Sequence, residues 1–258
     1  VIDLFLKEIE GTPFANTVDT IKSGDALNVV SGIVTTMFAT TAIVEKTIEA
    51  GANFIIAHEP TFYNHLDATD WLADNEVFNH KKELLDKNNI TVWRCHDSIH
   101  RHKPDGVLTG VIEALGWERY QNPDESHLLT LPACPLEQII EHVKNKLNIP
   151  ALKYIGSTRQ MCARIALMPG AAGGTAQISA LQKLKPDVML CGEINEWETA
   201  EYIRDLQQMG HNTSLIILGH SVSEEAGMEW MASWLKNKFS YLNITHILSG
   251  DPFEWSGN

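Results

Sequence analysis

Cysteine is scarce. The 258 residues include only four, Cys95, Cys134, Cys162 and Cys191, with no C-x-x-C pair among them. No C-x-x-C pair suggests zinc or redox work, and reduced, buried thiols are the favoured reading. Basic residues are also in short supply: 20 Lys and Arg stand against 33 Asp and Glu, a formal net charge of −13. A generalised phosphate-binding surface does not follow from that balance, so nucleic acid is not an expected partner. No apolar run approaches the roughly 20 residues of a membrane span, so no membrane partner is expected either. Low-complexity tracts and exact repeats are missing, and with 44% apolar and 21% charged residues the chain has the composition of a folded protein. Residues 1 to 10, VIDLFLKEIE, mix charged and apolar positions as an amphipathic helix does, unlike a signal peptide. Cytoplasmic localisation is the expectation; the start at Val1 leaves a removed export sequence open.

What is present is an alternation of short apolar runs with segments of helical period, the pattern of an α/β fold with largely parallel sheets. Strands are predicted at 27–34, 53–57, 90–95, 152–155, 163–168, 188–191, 215–218 and 244–248. Helices are predicted at 41–50, 71–88, 106–115, 136–147, 175–184, 195–209 and 224–238. The polar stretch 121–135, which contains three prolines, marks a boundary. Two similar α/β lobes are therefore expected, the first comprising 1–120 plus 220–258 and the second 121–219, with the last strand rejoining the first lobe.

Ligands of parallel α/β sheets gather at the carboxyl ends of strands, and three strand ends here carry imidazoles and carboxylates. IIAHEPTFY delivers His58 and Glu59 just before Pro60. Neighbouring residues on a regular strand face opposite ways, so both address one site only if the chain leaves strand geometry there. VWRCHDSIHR supplies His96, Asp97 and His100, and LIILGHSVSEEAG supplies His220 with Glu224 one helical turn later. Imidazole with carboxylate and no thiolate suits Zn, Mn, Fe, Co or Ni. Three rival motifs fail. HEPTFYNH has Pro60 after its Glu and brings His65 too late for a zincin HExxH. GHSVS resembles a nucleophile elbow around Ser221, but Ser223 replaces the final glycine, and His246 precedes Asp251 in the wrong order for that fold. PGAAGGT lacks the GK[ST] ending of a P-loop and reads as a tight turn. Trp230 and Trp234, at helical spacing, read as packing residues.

Taken together, these segments resemble the NIF-three-like group of hexameric proteins with a dinuclear metal centre, often labelled homologues of a type-two GTP cyclohydrolase. GANFIIAHEPTFY is similar to that family's strand ending in His-His-Pro, CHDSIH to its His-Thr-Asn-Leu-Asp segment and GHSVSE to its Gly-His-x-x-x-Glu. VMLCGEINEWE is similar to its Thr-Gly-Asp turn and GDPFEW to its closing segment. Glu59 stands where the family has its second His, and His100 where it has Asp, with Asp97 as an alternative register. The resemblance implies three His and two carboxylates as metal ligands, here His58, His100, His220, Glu59 and Glu224, holding two divalent ions with Glu224 as the bridge. His96 is expected in proton transfer or behind the ligands, with Glu193 as its support; Glu193 reads equally as a helix N-terminal carboxylate. The implied function is metal-dependent hydrolysis of a small nucleotide-like or phosphorylated substrate by a homohexamer. The alternative is a non-catalytic oligomer that binds metal or a regulatory partner. Substrate-orienting cations beside the ligands would favour the enzyme, and Arg94, Arg101 and Lys103 are candidates.

Overall fold

A computed structural model of the chain describes residues 1–12 and 14–256. It divides into two units, Val1–Thr109 with Gly227–Ser249, and Gly110–Ala226 with the described part of Gly250–Asn258. The passages at 109/110 and 226/227 fall inside helices, whereas the sequence reading set them at 120/121 and 219/220. The polar stretch 121–135 belongs to the second unit, with a loop over 121–127 and a strand over Leu128–Pro135.

The first unit holds a five-stranded sheet of β1 (Ile21–Ser23), β2 (Gly32–Thr36), β3 (Phe54–Ala57), β4 (Thr91–Arg94) and β10 (Asn243–His246), ordered β1-β4-β3-β2-β10. Its β10, β2, β3 and β4 are parallel, and only the short edge strand β1 runs antiparallel. Every residue of β2, β3 and β4 is buried, as strands covered on both faces require. Alternation sorts their side chains into two cores. Ile33, Phe54, Ile56, Trp93 and Ile244 pack with Phe5 of α1 (Ile2–Leu6) and with Met228, Met231 and Leu235 of α9 (His220–Lys238). Trp230 and Trp234 pack against the same cluster. Val34, Ile55, Ala57 and Val92 pack with α2 (Thr41–Glu49) and α3 (Glu76–Lys87).

The second unit has the order β5-β7-β8-β9-β6, from β5 (Leu128–Pro135), β6 (Lys153–Ile155), β7 (Met161–Met168), β8 (Val188–Cys191) and β9 (Ser214–Ile217). Its centre is parallel and both edges are antiparallel, so each sheet is mixed rather than wholly parallel. Leu181 and Leu184 of α7 (Gly174–Leu184) and Ile203 of α8 (Glu201–Gln208) cover one face. The amphipathic α6 (Leu136–Leu147) buries Leu136, Ile139, Ile140 and Val143.

Several expected elements shift for local reasons. The strand expected from residue 27 begins at Gly32, because an Asp25 carboxylate accepting from Leu27 N at 2.9 Å makes a turn that leaves Leu27 and Val29 each 89% exposed. The helix expected from residue 71 starts at Glu76, where Asn75 caps Phe78 N at 3.0 Å. The last long helix starts at His220, directly after Gly219 at φ +96°. β5 arises inside the stretch read as a boundary; an edge strand tolerates Pro132 and Pro135 where a central one would not. All four cysteines are free thiols, Cys134 half-buried and the others buried. No helix of the described residues is long and apolar enough to cross a membrane.

Candidate metal centre

His58 and Glu59 follow β3 while the backbone still pairs alongside β2, with His58 N donating to Thr36 O at 3.2 Å and Glu59 N to Met37 O at 2.9 Å. The loop beyond is held by Arg94, the last residue of β4 and fully buried. Its Nε donates to His58 O at 3.2 Å and Nη2 to Glu59 Oε2 at 3.3 Å, while Nη1 donates to His65 O and lies 3.7 Å from Asp67 Oδ2. Asp67 also pairs with Lys22 at 3.3 Å and accepts from Phe62 N at 2.7 Å. Lys81, buried, donates to Thr61 O at 2.9 Å; burial pulls its pKa down to about 8 against the pull of Asp67. The loop 58–67 is thus tied by three cations, and Arg94 is a clamp rather than a substrate contact.

His96 precedes α4 (Asp97–Arg101), which follows β4, and His100 stands one turn later in its last turn. The turn is anchored by Asp19, whose carboxylate accepts from the backbone N of His96, Asp97 and Ser98 at 2.8, 2.9 and 2.6 Å. Each of three histidines then engages an oxygen acceptor through Nδ1. His58 Nδ1 lies 3.2 Å from Cys95 O, His96 Nδ1 3.1 Å from Asp97 Oδ1, and His100 Nδ1 3.1 Å from Asp105 Oδ2. An oxygen acceptor makes Nδ1 the N–H and leaves the ring lone pair on Nε2, the arrangement common among metal-binding imidazoles. The rings of His58 and His96 stack at 4.7 Å, and His100 meets them edge-on at 5.1 and 5.2 Å. One ring nitrogen from each of the three lies within 4.8 Å of the other two, so this donor set fits a divalent first-row ion.

The electrostatics agree with ligation. Burial, then the neighbouring His58, holds the His96 pKa below its ordinary value, outweighing the Asp97 hydrogen bond, so the ring is neutral at neutral pH. Burial works to raise the Asp97 pKa, yet hydrogen bonds from His96, Thr17 and Val18 outweigh it and keep the carboxylate ionised. Glu59 reaches the same cluster, with Oε1 3.8 Å from His96 Nε2. Asp105 accepts from Leu108 N through Oδ1 at 3.0 Å as well as holding His100. An Asp105→Asn variant keeps that cap and is expected to stay folded while metal affinity falls roughly 10- to 100-fold, read by competition with a chelating dye.

In the second unit, His220 opens α9 and its Nε2 lies 3.1 Å from Glu224 Oε2, while Nδ1 is 3.5 Å from Glu193 Oε2. Glu224 is buried at 3% exposure over Gly170, where an added Cβ would stand 2.2 Å from Glu224 Oε1. Ser223 ties the segments together, donating to His220 O at 2.7 Å and accepting from Gly170 N at 2.9 Å. Gly170 therefore has a use that the tight-turn reading of PGAAGGT did not suggest: it makes room for a carboxylate. The helix N-terminus in that motif is already served by Glu198, whose Oε2 accepts from Gly174 N at 3.2 Å, so no phosphate cradle forms.

Of the sequence candidates, His58, Glu59, His96 and His100 gather in the first unit, and His220, Glu224 and Glu193 in the second. Glu193 supports His220, and Asp97 orients His96 from beside the ring. Arg101 lies over the Phe14 ring at 3.9 Å and Lys103 pairs with Glu10 at 3.2 Å on the surface, so neither offers a ready substrate cation. Asp19, Asp105 and the clamp role of Arg94 went unseen in the sequence, since an acidic or basic residue far along the chain carries no local signal of its partner.

Comparison with known proteins bears on the family and the fold. The sequence profile of the Duf34/NIF3 (NGG1p interacting factor 3) family matches residues 18–252. A Clostridium perfringens protein named GTP cyclohydrolase 1 type 2 homolog is 24% identical over 248 residues, covering 90% of this chain and 88% of that one. A Staphylococcus aureus hypothetical protein of known crystal structure superposes with a TM-score of 0.80 at 19% identity, covering 98% of this chain and 97% of its own. A Bacillus cereus protein described as related to NIF3 gives 0.78 at 17% identity, with coverage of 98% and 97%. With that profile matched over residues 18–252 and the same fold of two mixed α/β sheets, the chain belongs to the Duf34/NIF3 family.

Proposed function

We propose that the protein is a metal-dependent hydrolase with a two-ion centre, acting on a small nucleotide-like or phosphorylated substrate and working as a homohexamer. The observation that carries the metal reading is the trio His58, His96 and His100, each with Nδ1 turned to an oxygen acceptor. In the first unit His58, Glu59 and His100 would hold a divalent ion, and in the second His220 and Glu224 would offer ligands to another. A bound divalent ion would lower the pKa of a coordinated water toward neutrality and supply the nucleophile. Of the trio, His58 and His100 would be the metal donors, while His96, held neutral and backed by Asp97, stands beside them to take up a proton at Nε2; Glu193 holds His220 in orientation. The substrate class rests on the names of relatives, among them the Clostridium perfringens GTP cyclohydrolase 1 type 2 homolog.

Elemental mass spectrometry of untagged protein, reconstituted with Zn, Mn or Fe, tests the reading. About two equivalents per chain are expected in the parent, with at least one lost in a His220→Ala, Glu224→Ala double variant. Metal-dependent turnover in a screen of nucleotides and phosphate esters should accompany them. No bound metal overturns the proposal; metal without turnover leaves a non-catalytic metal-binding oligomer in its place.

A further inference from the structure

Outside the histidine sites, the second unit places two cysteines opposite one another on neighbouring strands. In the ladder between β5 and β7, Cys134 is the direct cross-strand partner of Cys162. Directly opposed residues of an antiparallel pair always share one face of the sheet. The same register continues as Leu136 N donating to Gln160 O at 2.8 Å, and a bond of that kind marks every second pair as hydrogen-bonded. Pro135, opposite Met161, falls at the intervening position, where no N–H is needed. Cys134 and Cys162 therefore occupy a hydrogen-bonded pair, with Cα atoms about 5.5 Å apart, inside the range that a disulfide spans.

The surroundings favour access from one side. β5 is an edge strand, and its register slips between Thr130 and Cys134, so Leu131, Pro132 and Ala133 bulge away immediately before the cysteine. Cys134 is half-buried and Cys162 is fully buried behind it. The two sulfurs also sense each other: burial first, then Asp187 and Cys134, push the Cys162 thiol up to about 11. Cys191, the other cysteine of this unit, lies on β8 and bonds weakly to Ile216 O at 3.7 Å.

We propose that Cys134 and Cys162 form a reversible cross-strand disulfide that fastens the edge strand β5 to β7 beyond the bulge. A low-molecular-weight disulfide such as oxidised glutathione is the oxidant. The Cys134 thiolate attacks one oxidant sulfur, the oxidant S–S bond breaks and one thiol leaves. The Cys162 thiolate then attacks Cys134 Sγ, forming the protein S–S bond and expelling the second thiol. Two protein thiols give up two protons and two electrons, and one oxidant disulfide becomes two thiols. Closing the bond at a hydrogen-bonded pair draws side chains together from the wide end of cross-strand spacing, so the link carries strain and reopens readily in excess thiol.

The test is a non-reducing peptide map of the full chain equilibrated with oxidised glutathione at mildly alkaline pH, where thiolate is available. Trypsin separates the partners, since Arg119 and Lys144 bracket Cys134, and Arg159 and Arg164 bracket Cys162. A linked pair of these two peptides, lost on reduction, is expected, with a melting temperature roughly 5 °C above that of the reduced protein and no such rise in Cys134→Ser. Glutathione retained on Cys134 with Cys162 still open to alkylation after denaturation would overturn the proposal, as would linkage between chains or a map with both thiols unmodified at equilibrium.

Discussion

Replacing Arg94 with methionine is expected to cost about 3–5 kcal/mol of folding stability, the range for breaking a buried, hydrogen-bonded ion pair by removing one partner. The guanidinium has no exposure, and it serves Glu59, Asp67 and the backbone carbonyls of His58 and His65 together. Methionine fills much of the space but removes the donor to two carbonyls and the buried positive charge that faces Glu59 and Asp67. For a chain of this size the melting temperature should fall by roughly 10 °C or more. The comparison is Lys82→Ala on α3, which removes an exposed pair with Asp86 and should change stability by about 0.5 kcal/mol or less. Thermal and urea denaturation of both variants decide the point. Equal, small effects would mean that the loop 58–67 is held by its own turns and not by the clamp.

Metal binding should weaken more than 100-fold in His58→Ala, beyond the 10- to 100-fold typical of losing a mere supporting partner. His58 is wholly buried and its ring touches both His96 and His100, so its removal takes a donor from the centre of the trio and opens a gap between the other two. His80→Ala, on the exposed side of α3, should bind as the parent does. Direct titration with Zn or Mn under identical buffer reads both. If His58→Ala kept the parent's affinity, the histidine trio would be a packing feature and the hydrolase proposal would lose its support.

Much of the fold can be read from the chain because its causes are local. Helices α5 (Gly106–Leu115) and α6 have the predicted bounds, and β8 does too, since its apolar run is bounded by Asp187 and Gly192. Elements with weak local signals behave differently. β1 is three residues at an edge, and β5 carries prolines that ordinarily argue against a strand. The first turn of the helix expected at 195–209 is a π-helix, Glu196–Ala200, in a segment where Gln177 donates through Nε2 to Glu193 O at 2.9 Å and accepts through Oε1 from Thr199 Oγ1. Nothing in the residue pattern reports such a bond in advance.

The site divides in the same way. Strand-end placement and one-turn spacing were enough to single out His58, Glu59, His96, His100, His220 and Glu224, because strand register and helical pitch are properties of neighbouring residues. Which nitrogen of each ring faces inward depends on acceptors that arrive from elsewhere: Cys95 lies 37 positions from His58, and Asp19 reaches the backbone of His96 across 77. The same holds for Gly170, whose missing side chain makes room for a glutamate far along the chain, and for Arg94, whose charge reads in sequence as a substrate contact and in the fold as a buried clamp. By itself the sequence determined the strands other than β1 and β5, most helices and the residue types offered at the strand ends. Only the tertiary structure decided their orientation and their burial, because hydrogen-bond partners and desolvation are set by segments that meet when the chain folds.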